Sequence, residues 1–101
     1  MRRVVWSRRA LLELTHALDY LAQRNLTAAR RIETRILETT EKLARRPIGR
    51  PGKHPGAYEK RVTGAPYLIV YALADDAEGG RIQILRLFHT AQDREQEPLR
   101  R

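Results

Sequence analysis

The sequence predicts a two-layer α+β sandwich, with elements in the order βααβββ and an antiparallel sheet covered by an N-terminal helical hairpin. Three observations predict it. Two helix-period patterns follow one another in the first half with almost no connection between them. The pattern then changes abruptly at Pro47 to a Gly/Pro-rich stretch. Beyond it come three strand-like runs separated by turn residues. A chain of 101 residues suffices for one domain and one core, since folding at this size buries roughly two-thirds of the unfolded surface.

Each element follows from local chemistry. Residues 3–6 carry the β-branched pair Val4-Val5 and read as a strand, after which Ser7 offers a helix N-cap. From Arg8 to Arg24, Leu11, Leu14, Leu18 and Leu21 recur at helical spacing, and Ala10 and Ala17 widen the stripe. Asn25 tolerates the left-handed conformation that ends a helix, and Thr27 is the expected cap of the next. There Ala29, Ile32, Ile36 and Leu43 face inward with Leu37 and Ala44 alongside, until Pro47 stops the helix. So short a connection makes an antiparallel hairpin. Residues 48–56 read as a loop and residues 57–63 as a polar strand. Gly64-Ala65-Pro66 makes a turn. Tyr67 to Ala74 is almost continuously apolar, the pattern of a central strand buried on both faces. Asp75 to Gly80 is a turn cluster. Arg81 to Phe88 is the last strand, and its alternation slips between Ile84 and Leu85, consistent with a bulge or with burial on both faces. The domain is expected over residues 1–92, followed by a charged tail, 93–101, that is frayed or loosely helical.

Composition bounds the function. The chain has no cysteine, which excludes disulfides and thiolate metal sites and fits a reducing compartment. Charged residues at positions 8, 9 and 13 interrupt the N-terminus before any apolar stretch of signal-peptide length. No segment approaches the roughly 20 apolar residues of a membrane span, so a cytoplasmic protein with no membrane association is expected. The formal net charge of +8 favours a polyanionic partner, whether DNA, RNA or an acidic protein segment. Charge alone does not choose among them, and Arg-rich chains from GC-rich genomes are often basic for compositional reasons, without any such partner.

The chemistry-bearing residues are few. His16, His54 and His89 are isolated, none with a carboxylate or second histidine at ligand spacing, so no metal or other cofactor is expected. GRPGKHPG has the glycines of a phosphate loop but two prolines and no helix after it. Ser7 reads as a cap and not a nucleophile. Residues 45–61 hold six cations (Arg45, Arg46, Arg50, Lys53, Lys60, Arg61) against one acid, Glu59. Confined to a loop and a strand, they suit phosphate or carboxylate contacts; the alternative is a solvated loop. Arg86 interrupts an apolar strand, so either its face is open or its guanidinium is held for a contact. His89 at the strand end suits general acid–base work or a hydrogen bond that pins the tail. Among the tyrosines, Tyr67 and Tyr71 share parity with Ile69 and are expected under the helices, which leaves Tyr58 as the exposed candidate for base stacking.

Taken in order, these pieces resemble the ParE/RelE superfamily of type II toxins. The resemblance rests on the strand ending in Trp6-Ser7, the opening Ala10-Leu11-x-Glu13-Leu14 and Tyr20-Leu21-Ala22 of helix one. It continues through Ala28-Ala29 and Leu43-x-x-x-Pro47-x-Gly49-Arg50 of helix two and its exit. Gly56-x-x-Glu59, Gly64-x-Pro66-Tyr67-Leu68-Ile69-Val70-Tyr71 and Ile82-x-Ile84-Leu85-Arg86-Leu87-x-His89-x-x-Gln92 are similar to the ParE branch. Each piece is weak alone; the ordered set, over roughly residues 3 to 92, is specific.

The resemblance implies a cytosolic toxin held in a hetero-oligomer by a cognate antitoxin, ParD-like or other. ParE-like members poison DNA gyrase without acting as enzymes on nucleic acid, whereas RelE-like members cleave mRNA on the ribosome. Cleaving members usually place an arginine directly after the first tyrosine of the Tyr-x-x-x-Tyr strand, where this chain has Leu68. Of the lysine pair typical of the preceding strand, one position is Glu59 and only Arg61 keeps a cation. The gyrase reading is therefore preferred, with no catalytic residue, target contacts at Lys60, Arg61, Arg86 and His89 aided by the tail from Asp93, and antitoxin contacts at Arg45, Arg50 and Lys53. In the endoribonuclease alternative, Arg61, Arg86 and His89 would be catalytic.

Overall fold

The computed structural model describes residues 1–47 and 49–91. Its elements are β1 (Arg3–Trp6), α1 (Arg8–Arg24), α2 (Leu26–Arg45), β2 (Arg50–Pro51), β3 (Tyr58–Arg61), β4 (Tyr67–Ala74) and β5 (Arg81–His89). One five-stranded sheet has the order β1-β5-β4-β3-β2. The last three long strands form the expected antiparallel meander, and β1 joins β5 in parallel, so the sheet is mixed. The βααβββ order holds, with β2 as an addition. The expected tail lies outside the described residues.

Ser7 starts α1 as expected: its Oγ accepts from the Ala10 N–H at 3.1 Å. The helix junction differs from the sequence reading. Asn25 is extended (φ −161°, ψ 99°) instead of left-handed. It closes α1 through its own N–H, which donates to the Leu21 carbonyl, and it opens α2 through Oδ1, which accepts from the Ala28 N–H at 3.0 Å. Thr27 therefore lies inside the first turn of α2 and is not its cap. One residue serving both helices is what makes the hairpin so tight. The loop after Pro47 also differs, because Arg50 and Pro51 pair with Glu59 and Tyr58 as a short outer strand. A proline is compatible with that position because β2 is an edge.

The helices cover one face of the sheet. Ala10, Leu14, Ile32, Ile36, Leu43 and Ala44 pack against Val62, Tyr67, Ile69, Tyr71, Ile82, Ile84 and Leu87. Leu37 is 40% exposed, so the inward stripe of α2 is narrower than expected. The slip in β5 is a bulge: Val70 pairs with Arg86 but Tyr71 pairs with Ile84, leaving Leu85 without an opposite residue. The extra residue resets the alternation, so that Ile84 and Leu87, three apart, both face the helices while Arg86 and Phe88 face away.

Candidate functional site

Strand register fixes which candidate side chains can act together. Across β3, β4 and β5, Arg61, Leu68 and Phe88 form one row and Glu59, Val70 and Arg86 the next. Both rows lie on the sheet face opposite the helices. Lys60 pairs with Ile69, and His89 pairs with Tyr67, so both belong to the helix-facing side. The four residues expected to meet a target therefore divide into two pairs on opposite faces.

Arg86 is held. Its Nε donates to Glu13 Oε1 and Oε2 at 3.2 and 3.0 Å, and its Nη2 donates to Oε2 at 2.8 Å. Glu13 Oε1 also accepts the Leu87 backbone N–H at 2.9 Å. The guanidinium carbon lies 4.3 Å above the centre of the Phe88 ring, a cation–π contact. Such a forked, charge-assisted pair is stronger than a neutral hydrogen bond. Of the two sequence alternatives for Arg86, the structure shows the held guanidinium.

The geometry of this grip follows from β1. That strand pairs with β5 only as far as Ile84, beyond which the outer edge of β5 needs other partners. Ser7 supplies two: its N–H donates to the Ile84 carbonyl at 2.9 Å and its Oγ to the Leu85 carbonyl at 3.1 Å. Glu13, nearly two turns further along α1, takes the Leu87 N–H. Glu13 is the residue that the sequence reading missed as a contributor. Its signal was an acid beside the apolar stripe of α1 together with an arginine inside an apolar strand, two facts that spacing alone does not connect.

The loop between α2 and β3 is fixed from beneath. Tyr71 is fully buried, and its hydroxyl accepts the Gly49 N–H at 2.8 Å. A Cβ at Gly49 would collide with that hydroxyl and with the Glu59 carbonyl, so only glycine fits. Tyr58 stacks on Tyr71 with ring centroids 5.6 Å apart, which removes it as a free stacking platform. Burial raises the pKa of Tyr71, partly opposed by its Gly49 bond, and Tyr58 adds a smaller upward push. Tyr67 is raised by burial too. Both phenols stay neutral and act as packing and hydrogen-bonding groups, as their parity suggested.

On the face opposite the helices the acid Glu59 is paired, while Arg61 is exposed and makes no ion pair among the described residues. Glu59, with a side chain only 8% exposed, accepts from Arg50 Nη2 at 3.4 Å. Together with Lys53, His54, Ala57, Val70, Arg86 and Phe88 it lines a small pocket of about 90 Å³. Thus Arg50 in β2 and Lys53 just after it lie close in the chain, while Arg45 stands apart in the last turn of α2, where its charge favours the helix C-terminus. On the other face, Glu13, His16, Tyr20, Tyr67, Leu87 and His89 contribute to a larger cleft of about 450 Å³ between α1 and the strand ends. His89 meets the Tyr67 ring edge-on at 5.3 Å, and its Nδ1 accepts the Ala91 N–H at 3.2 Å. Among the described residues no group of three or more His, Asp or Glu could hold a metal ion, and no helix is long and apolar enough to cross a membrane.

Residues 4–94 match the family described as the ParE toxin of the type II toxin-antitoxin system, parDE. The chain belongs to the ParE toxin family. Toxin RelE2 of Caulobacter vibrioides is 35% identical over 91 residues, which is 90% of this chain and 98% of that protein. Among solved structures, one described as the chromosomal ParDE TA system from P. aeruginosa superposes with a TM-score of 0.76. It is 24% identical and the match covers 88% of this chain and 96% of that one. A YoeB/ParE toxin from Agrobacterium tumefaciens gives a TM-score of 0.60 at 16% identity, over 86% and 97% of the two chains. The fold is therefore the ParE/RelE fold, and the chain is a toxin of a ParE/RelE-type toxin–antitoxin system, which implies a cognate antitoxin as partner.

Proposed function

We propose that this ParE family member arrests growth by binding DNA gyrase and blocking its cycle in the cytoplasm, without being an enzyme, until a ParD-like antitoxin sequesters it in a hetero-oligomer. The observation that carries the reading is the state of the open sheet face. Cleaving a phosphodiester needs uncompensated cations around the scissile phosphate and a proton donor for the leaving group. Here Leu68 is buried to 2% where cleaving relatives carry an arginine, Glu59 is a buried acid, and Arg86 is paired to Glu13. His89 lies on the opposite face from Arg61 and Arg86, so the three residues of the nuclease alternative do not converge.

In the gyrase reading Arg61 and Arg86 meet the target from one face of the sheet and Lys60 and His89 from the other, with Arg61 the most accessible of them, and the sequence from Asp93 is proposed to contribute contacts. Arg45, Arg50 and Lys53 meet acidic residues of the antitoxin, a charge match that speeds encounter more than it deepens affinity. The test is a paired assay of purified toxin with gyrase and plasmid, and with a translating extract. Loss of supercoiling or accumulation of cleaved DNA, with intact mRNA, is expected. Cleavage of mRNA in the ribosomal A site beside normal supercoiling overturns the proposal. Arg61→Ala should weaken growth arrest several-fold while leaving antitoxin binding intact.

A further inference from the structure

We propose that the β2–β3 edge is a binding site for the phosphate backbone of duplex DNA, so that the toxin touches nucleic acid directly. Gly49, Arg50, Glu59, Lys60 and Arg61 line an open groove of about 240 Å³ at this edge. Three of the five are cations. The one acid, Glu59, is turned to Arg50, which leaves the charge of Lys60 and Arg61 uncancelled. Among the described residues neither forms an ion pair, and the same holds for Arg45 and Arg46 at the end of α2.

The strand geometry makes the groove reachable. β2 covers only Tyr58 and Glu59 of β3, so among the described residues the outer edge at Lys60 and Arg61 has no strand beside it. Their side chains leave β3 on opposite faces and flank that edge from both sides, an arrangement that suits a negatively charged ridge.

The chemistry favours duplex DNA over the other polyanions. Single-stranded nucleic acid is held by aromatic platforms as well as charge, and the tyrosines nearest the sheet are committed: Tyr58 to Tyr71, Tyr67 to the core and His89. A tight protein interface usually centres on desolvated aromatic, apolar or arginine anchors, and the described residues that line the groove offer no aromatic or apolar one. A duplex backbone asks only for correctly placed cations. The site shares Lys60 and Arg61 with the gyrase reading but is tested apart from it, because the measurement concerns the toxin and DNA with no third component.

The experiment is fluorescence anisotropy of a labelled mixed-sequence DNA duplex titrated with purified toxin over a series of salt concentrations, with gyrase absent. Binding should weaken steeply with salt, and Lys60→Gln/Arg61→Gln should lower the slope of log K against log salt by about 2. Arg8→Gln/Arg9→Gln removes the same charge from the exposed start of α1 and should leave the slope unchanged. An equal loss in both variants, tighter binding of single-stranded RNA or of an acidic peptide than of duplex, or no duplex binding at low salt each overturns the site. Should the first variant fold poorly, amide chemical-shift changes in the wild-type toxin on adding duplex give the same answer. They should centre on Gly49, Lys60 and Arg61, and changes centred elsewhere overturn it.

Discussion

The two halves of β5 are neighbours in sequence yet are secured by different chemistry. From Arg81 to Ile84 the strand lies between β1 and β4, with ladders on both sides and Ile82 and Ile84 fully buried. From Leu85 to His89 no strand among the described residues lies on the β1 side, and side chains of Ser7 and Glu13 bond to the edge. The first half is held by ladders on both sides and by the buried Ile82 and Ile84, so many small contacts share the load. The second keeps its ladder with β4, but its other edge rests on single bonds from Ser7 and from Glu13 of α1. It is also the half that carries Arg86 and His89. In this toxin the strand is most replaceably built where it is deepest, and most specifically built where it approaches the candidate surface.

That contrast can be broken from either end. Ile84→Ala should cost about 2–5 kcal/mol, the usual range for emptying a filled core position, read as a drop in the urea midpoint at constant m. Glu13→Ala should cost about 2 kcal/mol, because it strands both a guanidinium and a backbone N–H. Glu13→Gln, which keeps an acceptor, should cost less. A double-mutant cycle of Glu13→Gln with Arg86→Met sharpens the distinction: strong coupling is expected there, and near-additivity between Glu13 and Ile82. If Glu13→Ala proved neutral, the second half of β5 would be no more dependent on its helix than the first.

A smaller effect tests the turn that delivers β5 to its partners. Asp76 Oδ1 accepts the N–H groups of Gly80 and Glu78, each at 2.9 Å, and Arg3 Nη2 donates to Oδ2 at 3.1 Å. These bonds, led by Gly80, lower the Asp76 pKa below its usual value of 3.8. A carboxylate with a depressed folded pKa contributes stability above its unfolded pKa, and that stability is lost as pH falls through the folded value. Asp76→Asn should therefore lower stability near neutrality and flatten the acid limb below about pH 4, so that variant and wild type converge in acid. An unchanged acid limb in thermal melts would remove Asp76 from the strand's support.

Most of the fold was legible because its determinants are local. Leucine spacing drew α1, the continuous apolar run drew β4, and the slip after Ile84 gave the bulge. The features that escaped are those where one residue does something its neighbours do not announce. Asn25 serves two helices at once, and sequence cues favoured dividing the work with Thr27. Arg50 and Pro51 form a strand because Glu59 and Tyr58 are opposite them, although proline argues locally for a loop. In the candidate site, the cationic cluster was visible as composition, and the burial of Tyr67 and Tyr71 followed from parity. The opposite faces of Lys60 and Arg61 follow from the same alternation. The grip of Glu13 on Arg86 did not, because it joins residues 73 positions apart.

Ser7 and Leu85, 78 positions apart, meet at the bulge, and this gives the fold a timetable. β1 has no neighbour in the sheet except β5. While the chain is being synthesised, the helical hairpin and β3–β4 can emerge in full with β1 still lacking its place. The first strand waits for the last. Contacts of such long range slow closure, so the native surface of this toxin comes into being only once β5 has left the ribosome.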